Sequence, residues 1–263
     1  CPFHFSQFAI HMGHRGKQSS DEQNFVLQAQ VGERMRAAVA DMAYLLGRGY
    51  ALPSALQLVG NRYRLNGRQQ QALRRVAAAP EEVARRKAKR CALPAEATAE
   101  NACRLAIDGY NVLIFLEAAL SGGYLLRCAD GCMRDISGIH GSYHSVEETE
   151  AALLLVARTL ARYAALSEVL WLFDAPISNS GRLGTRLREM ARATDFPLQQ
   201  GWTVRLDNSP DKELLRLAKE EGYIIATGDA WILDELQGNW YDLHADALGV
   251  GVPEAEILDF CGD

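Results

Sequence analysis

Residues 202–236 read WTVRLDNSPDKELLRLAKEEGYIIATGDAWILDEL. A short apolar run ends in Asp207, and a helical pattern opened by Pro210 follows. A second apolar run ends in Asp229, and AWILDEL is helical again. Strand, helix, strand, helix in this order predicts parallel strands joined by crossover helices. The alternation continues upstream, with CRLAID before NVLIFLEAAL, then YLLRCAD, VEETEAALLLVARTLARYAAL, and EVLWLFD before SGRLGTRLREMARA. Near-continuous apolar strands mark a mostly parallel sheet covered by helices on both faces. The expected fold class is α/β, with this domain over residues 102–263.

The acids fall at the strand ends. Five predicted strands terminate in aspartate, at Asp108, Asp130, Asp174, Asp207 and Asp229, and Asp211 opens the following helix. The carboxyl ends of parallel strands share one edge, where open α/β sheets bind their ligands. Carboxylates gathered on one rim repel one another. A hard divalent cation is the natural counter-charge, and all-oxygen ligands suit Mg²⁺ or Mn²⁺. Each aspartate also has a plain reading as a helix cap, Asx turn or turn residue. Their convergence is what argues for chemistry: Asp108, Asp174, Asp211 and Asp229 are the primary candidates, and Asp130, Asp135 and Asp207 secondary ones. Competing motifs are missing, with no GxxxxGK[ST], GxGxxG after the first strand, GxSxG or HExxH. Cys128 and Cys132, in CADGC, are one residue off the common zinc spacing and have no second pair. His140 and His144 lie in a Gly/Ser-rich loop.

Upstream of the α/β pattern the period is helical. In VGERMRAAVADMAYLLGRGY the apolar positions Val31, Met35, Val39, Met42, Leu45 and Leu46 form one stripe. Pro53 and Pro80 open later helices, and Gly60 closes one. Residues 26–91 are expected to be a small all-α domain free of strands, residues 92–101 a linker, and the strands to begin near Arg104. The 61–90 segment carries a net charge of +8, within a chain whose net charge is −5. A basic helical face of this kind fits a polyanionic partner. Arg62, Arg64, Arg68, Arg74, Arg75, Arg85, Arg86, Lys87 and Lys89 are the candidate phosphate contacts, and Tyr63 a candidate base-stacking residue. The plainer reading is a solvated face, or arginines paired with the acidic second part and Tyr63 in the core.

The 263 residues are 48% hydrophobic and 23% charged, which excludes collagen, disordered-tail and disulfide-dense classes. No apolar run approaches the ~20 residues of a spanning helix, so no membrane partner is expected. Six cysteines are too sparse for a disulfide framework, and a reduced, cytoplasmic, soluble protein is expected. The first residue is Cys1, and His4, His11 and His14 have no metal-site spacing with cysteines. The Cys1 start fits a processed lipoprotein or, as the preferred reading, a fragmentary or mis-started frame, and residues 1–25 carry little structural weight.

IDGYNVL (107–113), LWLFDAP (170–176) and PDKELLRLAKEEGYIIATGDAWILDEL (210–236) together resemble a PIN/NYN-type nuclease domain. The family pattern of an Asp after the first strand, an Asp after a central strand and a late Asp–helix–strand–[ST]xD unit falls on Asp108, Asp174, Asp211 and Asp229. Thr227 matches the [ST], and Asn111 matches the Asn of the DGYN turn. The mid-domain acid of the family falls among Glu147, Glu148 and Glu150, with Glu148 preferred. The layout is also similar to an uncharacterised prokaryotic family. There, a helical domain of unknown function carrying a segment like RGYALPSALQLVGNRYRL (48–65) precedes a PIN-like domain, and the likeness extends to RDISGIHGSYHSVEET and DAPISNSG. The resemblance implies metal-dependent phosphodiester hydrolysis, with Mg²⁺ or Mn²⁺ on Asp108, Asp211 and Asp229 and with Asp174 nearby. Ser178 and Asn179, ahead of a helix, would receive a phosphate, and the basic helices would hold RNA. A non-catalytic RNA-binding protein and a small-molecule phosphatase are the alternatives.

Overall fold

The computed structural model describes residues 16–17, 20–27, 29–98, 101–136, 148–175, 180–192 and 201–262. The helical part comprises α1 (Asp21–Phe25), α2 (Ala29–Gly47), α3 (Leu52–Arg62), α4 (Gly67–Val76) and α5 (Pro80–Ala88). Local chemistry sets its boundaries. Pro53 and Pro80 occupy first turns, where a missing N–H costs nothing. Asn66 and Gln69 form a reciprocal capping box at α4, with the Gln69 N–H donating to Asn66 Oδ1 at 2.9 Å.

The chain then alternates through β1 (Arg90–Cys91), β2 (Cys103–Asp108), α6 (Gly109–Leu120), β3 (Leu125–Arg127), β4 (Met133–Asp135), α7 (Thr149–Leu160), β5 (Leu166–Asp174), α8 (Ser180–Ala191), β6 (Trp202–Asp207), α9 (Pro210–Glu221), β7 (Ile224–Ala226), α10 (Ala230–Glu235), β8 (Trp240–Tyr241), α11 (Leu243–Gly251) and β9 (Ile257–Asp259). Six strands form a parallel sheet in the order β1-β8-β7-β2-β5-β6. Both faces are covered. Leu105, Ile107, Trp171 and Phe173 meet α6, α7, α8 and α11 on one side. Ala106, Leu170, Leu172 and Ile225 meet α9 and α10 on the other.

Two expectations are corrected. Arg90 and Cys91, placed in the helical domain by their sequence, pair in parallel with Trp240 and Tyr241. Strands therefore begin before the 92–101 stretch, and the helical part contributes an edge to the sheet. YLLRCAD is not a strand of that sheet. It forms β3 of a separate three-stranded sheet, ordered β4-β3-β9, and Asp130 lies in the β3–β4 hairpin turn. The Asp130-Gly131 pair turns the chain there, with Gly131 at φ +85, a conformation that favours glycine.

The helical part rests on this small sheet. Val31, Met35, Met42, Leu73 and Val76 share one buried cluster with Tyr124, Leu126, Cys128, Ile136 and Phe260. Leu126 in β3 is fully buried in that shared cluster. Leu126→Ala is expected to cost about 2–5 kcal/mol and to lower one common unfolding transition. Circular dichroism melts would test this, and two resolved transitions with only one displaced would mean that the helical part unfolds by itself.

Candidate active site

Side-chain alternation places the acids on one face. On β2, Asp108 has the parity of Ala106; on β5, Asp174 has that of Leu170 and Leu172; all three of these apolar residues face α9 and α10. Asp207 pairs with Asp174 in register on β6. Asp211 lies in the first turn of α9, and Asp229 is the N-cap of α10. Asp108, Asp174, Asp211 and Asp229 thus gather at the carboxyl edge, on the α9–α10 side, with Asp207 in register beside Asp174.

Asp108 stands at the N-cap position of α6 but makes no side-chain cap hydrogen bond. Instead its Oδ2 accepts from the Thr227 hydroxyl at 2.7 Å. The Thr227 oxygen in turn accepts from the Asp229 N–H at 3.0 Å, and Asn111 Oδ1 accepts from the Gly228 N–H at 2.6 Å. The residues matched to the DGYN turn and the [ST]xD unit therefore clip to each other. Gly109 is required by close approach, because a Cβ there would lie 2.4 Å from Phe173 Cε1 and 2.5 Å from the Leu172 carbonyl oxygen. Gly228 is similarly confined, with a Cβ placed 2.9 Å from His244 Cε1.

The electrostatics match the geometry. Burial, then the charges of Asp229 and Asp211, push the Asp108 carboxyl up to about 7 against the opposing Thr227 hydrogen bond. Burial, then Asp229 and Asp174, also raise Asp211. Asp174 Oδ1 is buried without a hydrogen-bond partner. An orphaned carboxylate oxygen near the charge-penalised Asp211 carboxyl fits a cation. The expected three-ligand cage of Asp108, Asp211 and Asp229 is nevertheless not closed: among the described residues, no three His, Cys, Asp or Glu side chains are gathered to hold one ion. Asp108 turns one oxygen to Thr227, and Asp229 turns Oδ1 to the N–H groups of Trp231 and Ile232, at 2.8 and 3.1 Å.

Asp207 forms an Asx turn, its Oδ1 accepting from the Ser209 N–H at 2.8 Å. Asp135 lies in β4 within 3.4 Å of Arg75. Glu148 is the N-cap of α7, and Glu150 pairs with Arg186 at 2.7 Å. Glu147, Ser178 and Asn179 lie outside the described residues, as do His4, His11, His14, His140 and His144. Cys128 and Cys132 are buried free thiols joined through their backbones across the hairpin.

The basic set divides. Arg86 is buried, with Nη1 donating to Asp130 Oδ2 at 2.9 Å, and Nε and Nη2 to Asp234 at 2.8 and 2.6 Å. Lys89 donates to the carbonyls of Leu233 and Asp234. Arg68 pairs with Asp21 at 2.9 Å. Tyr63 is half-buried and donates to Asp41 at 2.8 Å. Arg62, Arg64, Arg74, Arg85 and Lys87 remain exposed, with Arg62 near Asp41 at 3.3 Å. Arg68, Arg75, Arg86 and Lys89 thus make their contacts within the chain, and the basic face is narrower than the sequence count.

Arg134, missed in the sequence, completes the assembly. It grips Asp130 with two bonds of 3.0 and 2.7 Å, and its Nε donates to the Gly228 carbonyl at 2.6 Å. Its one sequence signal is that it opens the RDISGIHGSYH stretch. A cavity of about 600 Å³ near β1 and β8, lined by Lys87, Arg90, Tyr163, Tyr241 and Asp242 among others, includes none of the strand-end acids. Its polar groups bind one another, with Arg90 on Asp242 at 2.9 Å and Tyr163 and Tyr241 both on Asp246.

The family described as Domain of unknown function (DUF5616) matches residues 97–246, and Protein of unknown function (DUF434) matches residues 34–89. The chain is 33% identical over 214 residues to "Uncharacterized protein MJ0935" of Methanocaldococcus jannaschii, covering 80% of this chain and 95% of that protein. The chain belongs to the DUF5616 family. No solved structure matches it.

Two outcomes are expected. A raised carboxyl pKa means that the folded state holds its proton after the unfolded chain has released it. The stability associated with Asp108 is therefore complete below about pH 4 and lost as pH rises toward 7. Melting curves in EDTA should fall across that window for the wild type and fall less for Asp108→Asn; equal slopes would remove Asp108 from the charged cluster. Arg86→Ala strips Asp234 of its two charged bonds and leaves Asp130 to Arg134 alone, and should cost about 3–5 kcal/mol in denaturant unfolding. A loss below about 1 kcal/mol, the scale of exposed pairs, would mean that Arg86 is solvated.

Proposed function

We propose that this chain is a metal-dependent ribonuclease of PIN-like design. The reading is carried by one observation: Asp108, Asp174, Asp211 and Asp229 meet on one face at the carboxyl edge of a parallel sheet, with Asp108 too poor in compensating partners to hold its charge easily. Asp108, Asp211 and Asp229 are the residues that would hold Mg²⁺ or Mn²⁺, with Asp174 beside them. When bound, such an ion supplies the charge that activates a water and stabilises a leaving oxygen. Thr227 orients Asp108, and Asn111 and Arg134 hold Gly228 from its two sides. Among the described residues no helix is long and apolar enough to cross a membrane. The five described cysteines are free thiols, which supports placing the protein in the cytoplasm.

Exposed Arg62, Arg64, Arg74, Arg85 and Lys87 are the cations left for phosphates. A second reading, a non-catalytic RNA-binding protein, is favoured by the unclosed acid cluster.

Incubation with mixed cellular RNA in Mn²⁺ or in EDTA tests the proposal. Wild type is expected to cleave only with Mn²⁺. Asp229→Asn is expected to lose cleavage while melting normally, since Asn retains the α10 cap. Cleavage by both Asp229→Asn and Asp108→Asn at the wild-type rate would end the metal-nuclease mechanism. RNA bound without cleavage would favour the second reading. Replacing Arg85 and Lys87 with Ala should weaken binding to all sequences and flatten the salt dependence by about two counterions.

A further inference from the structure

The four tryptophans divide sharply. Trp171 and Trp240 are fully buried, and Trp202 is partly buried against the core. Trp231 is 49% exposed. It lies in α10 two residues beyond Asp229, whose Oδ1 accepts from the Trp231 backbone N–H at 2.8 Å. The Trp231 backbone is thereby tied to the acid within one turn of helix.

The helix beneath it is held firmly. Ile232 and Leu233 are completely buried, Arg86 clamps Asp234 with two bonds, and Lys89 donates to the carbonyls of Leu233 and Asp234. The indole is thus carried on an anchored helix and leaves about half of its surface unused by the folding of the chain. One turn along α10, Asp234 lies 3.7 Å from the half-exposed Arg85 guanidinium. Trp231 is thus flanked along α10 by Asp229 of the acid cluster on one side and by Asp234, with its solvent-facing Arg85 partner, on the other.

We infer that Trp231 is a stacking platform for a nucleobase of a single-stranded nucleic acid, RNA in the ribonuclease reading, holding the base next to the scissile position at Asp229. This rests on that reading for the identity of the site and adds the class of substrate strand. A base can lie flat on an exposed indole only when it is unpaired and splayed from its stack. A duplex presents its bases edge-on within the helix and cannot occupy the platform.

Intrinsic fluorescence in EDTA reads the contact without cleavage. A short single-stranded RNA, and the matching single-stranded DNA, should quench emission in the wild type. The duplex of the same sequence should not. The quenched component should be missing in Trp231→Phe, and Trp231→Ala should weaken single-strand affinity on the order of ten-fold, with Trp231→Phe recovering part of it. Trp231→Ala should melt close to the wild type, because the indole is half exposed and has no aromatic or cation–π contact among the described residues. Unchanged affinity in Trp231→Ala, or equal quenching by duplex, overturns the inference. Trp231-dependent self-association with no response to RNA also overturns it and assigns the indole to a protein contact. The two readings separate in a parallel Mn²⁺ assay. Wild-type binding and cleavage by Trp231→Ala removes the platform and leaves the nuclease; weakened single-strand binding by Trp231→Ala, when the wild type cleaves nothing, removes the nuclease and leaves the platform.

Discussion

Asp130 sits between two arginines. Arg86 reaches it from α5 and Arg134 from β4, and all three are buried. Burial works against the carboxylate's charge, yet the two guanidinium groups more than offset it and hold the carboxyl down at about 2. From this ion the bonding runs outward in both directions. Arg86 continues to Asp234 on α10, and Arg134 continues to the Gly228 carbonyl. Asp130 Oδ1 also receives the Cys132 N–H at 3.1 Å and closes the hairpin turn. Three stretches far apart in sequence, around residues 86, 130–134 and 228–234, are thereby fixed around one carboxylate. Buried charges in such a chain are costly to strand, so the arrangement specifies how the helical part sits more than it adds stability.

The acid edge depends on the same bonding. Gly228 is held through its N–H by Asn111 and through its carbonyl by Arg134, and both neighbouring residues are committed. Thr227 faces Asp108, and Asp229 caps α10. His244 packs against this turn, stacked on Phe115 at 4.1 Å, and burial lowers its pKa to about 4, so it stays neutral there. The polar groups nearest the acids are thus mostly occupied in holding shape. Asp174, with Oδ1 buried and unbonded, and Asp108, whose charge is opposed by burial and by Asp229 and Asp211, are short of compensation within the chain.

Much of this was legible from residue order. An apolar run ended by aspartate marks a strand end, so Asp108, Asp174 and Asp207 fell at the ends of β2, β5 and β6, whereas Asp229 lies three residues beyond β7 and caps α10. Asp130 escaped because YLLRCAD has the same texture as a true strand of the sheet. The Asp-Gly pair that follows is the stronger signal, and it turns the chain back. The basic helices misled for a different reason. Composition counts charges but does not locate their partners, and Arg86 finds Asp130 44 residues away and Asp234 148 residues away. Trp231 gave no signal, since an apolar residue in a short amphipathic helix reads as core until its exposure is known.

The two residues of β1 carry a consequence out of proportion to their length. Arg90 and Cys91 lie immediately after the segment matching one family and before the segment matching the other, and they shield the flank of β8. A chain divided between these segments would leave one piece with an unsatisfied ribbon and the other with an open row of backbone donors and acceptors. Bare flanks of this kind recruit whatever strand is at hand. The two halves, made separately, would therefore carry matching adhesive ends, and reassembly of a split version would compete directly with clumping of the larger piece.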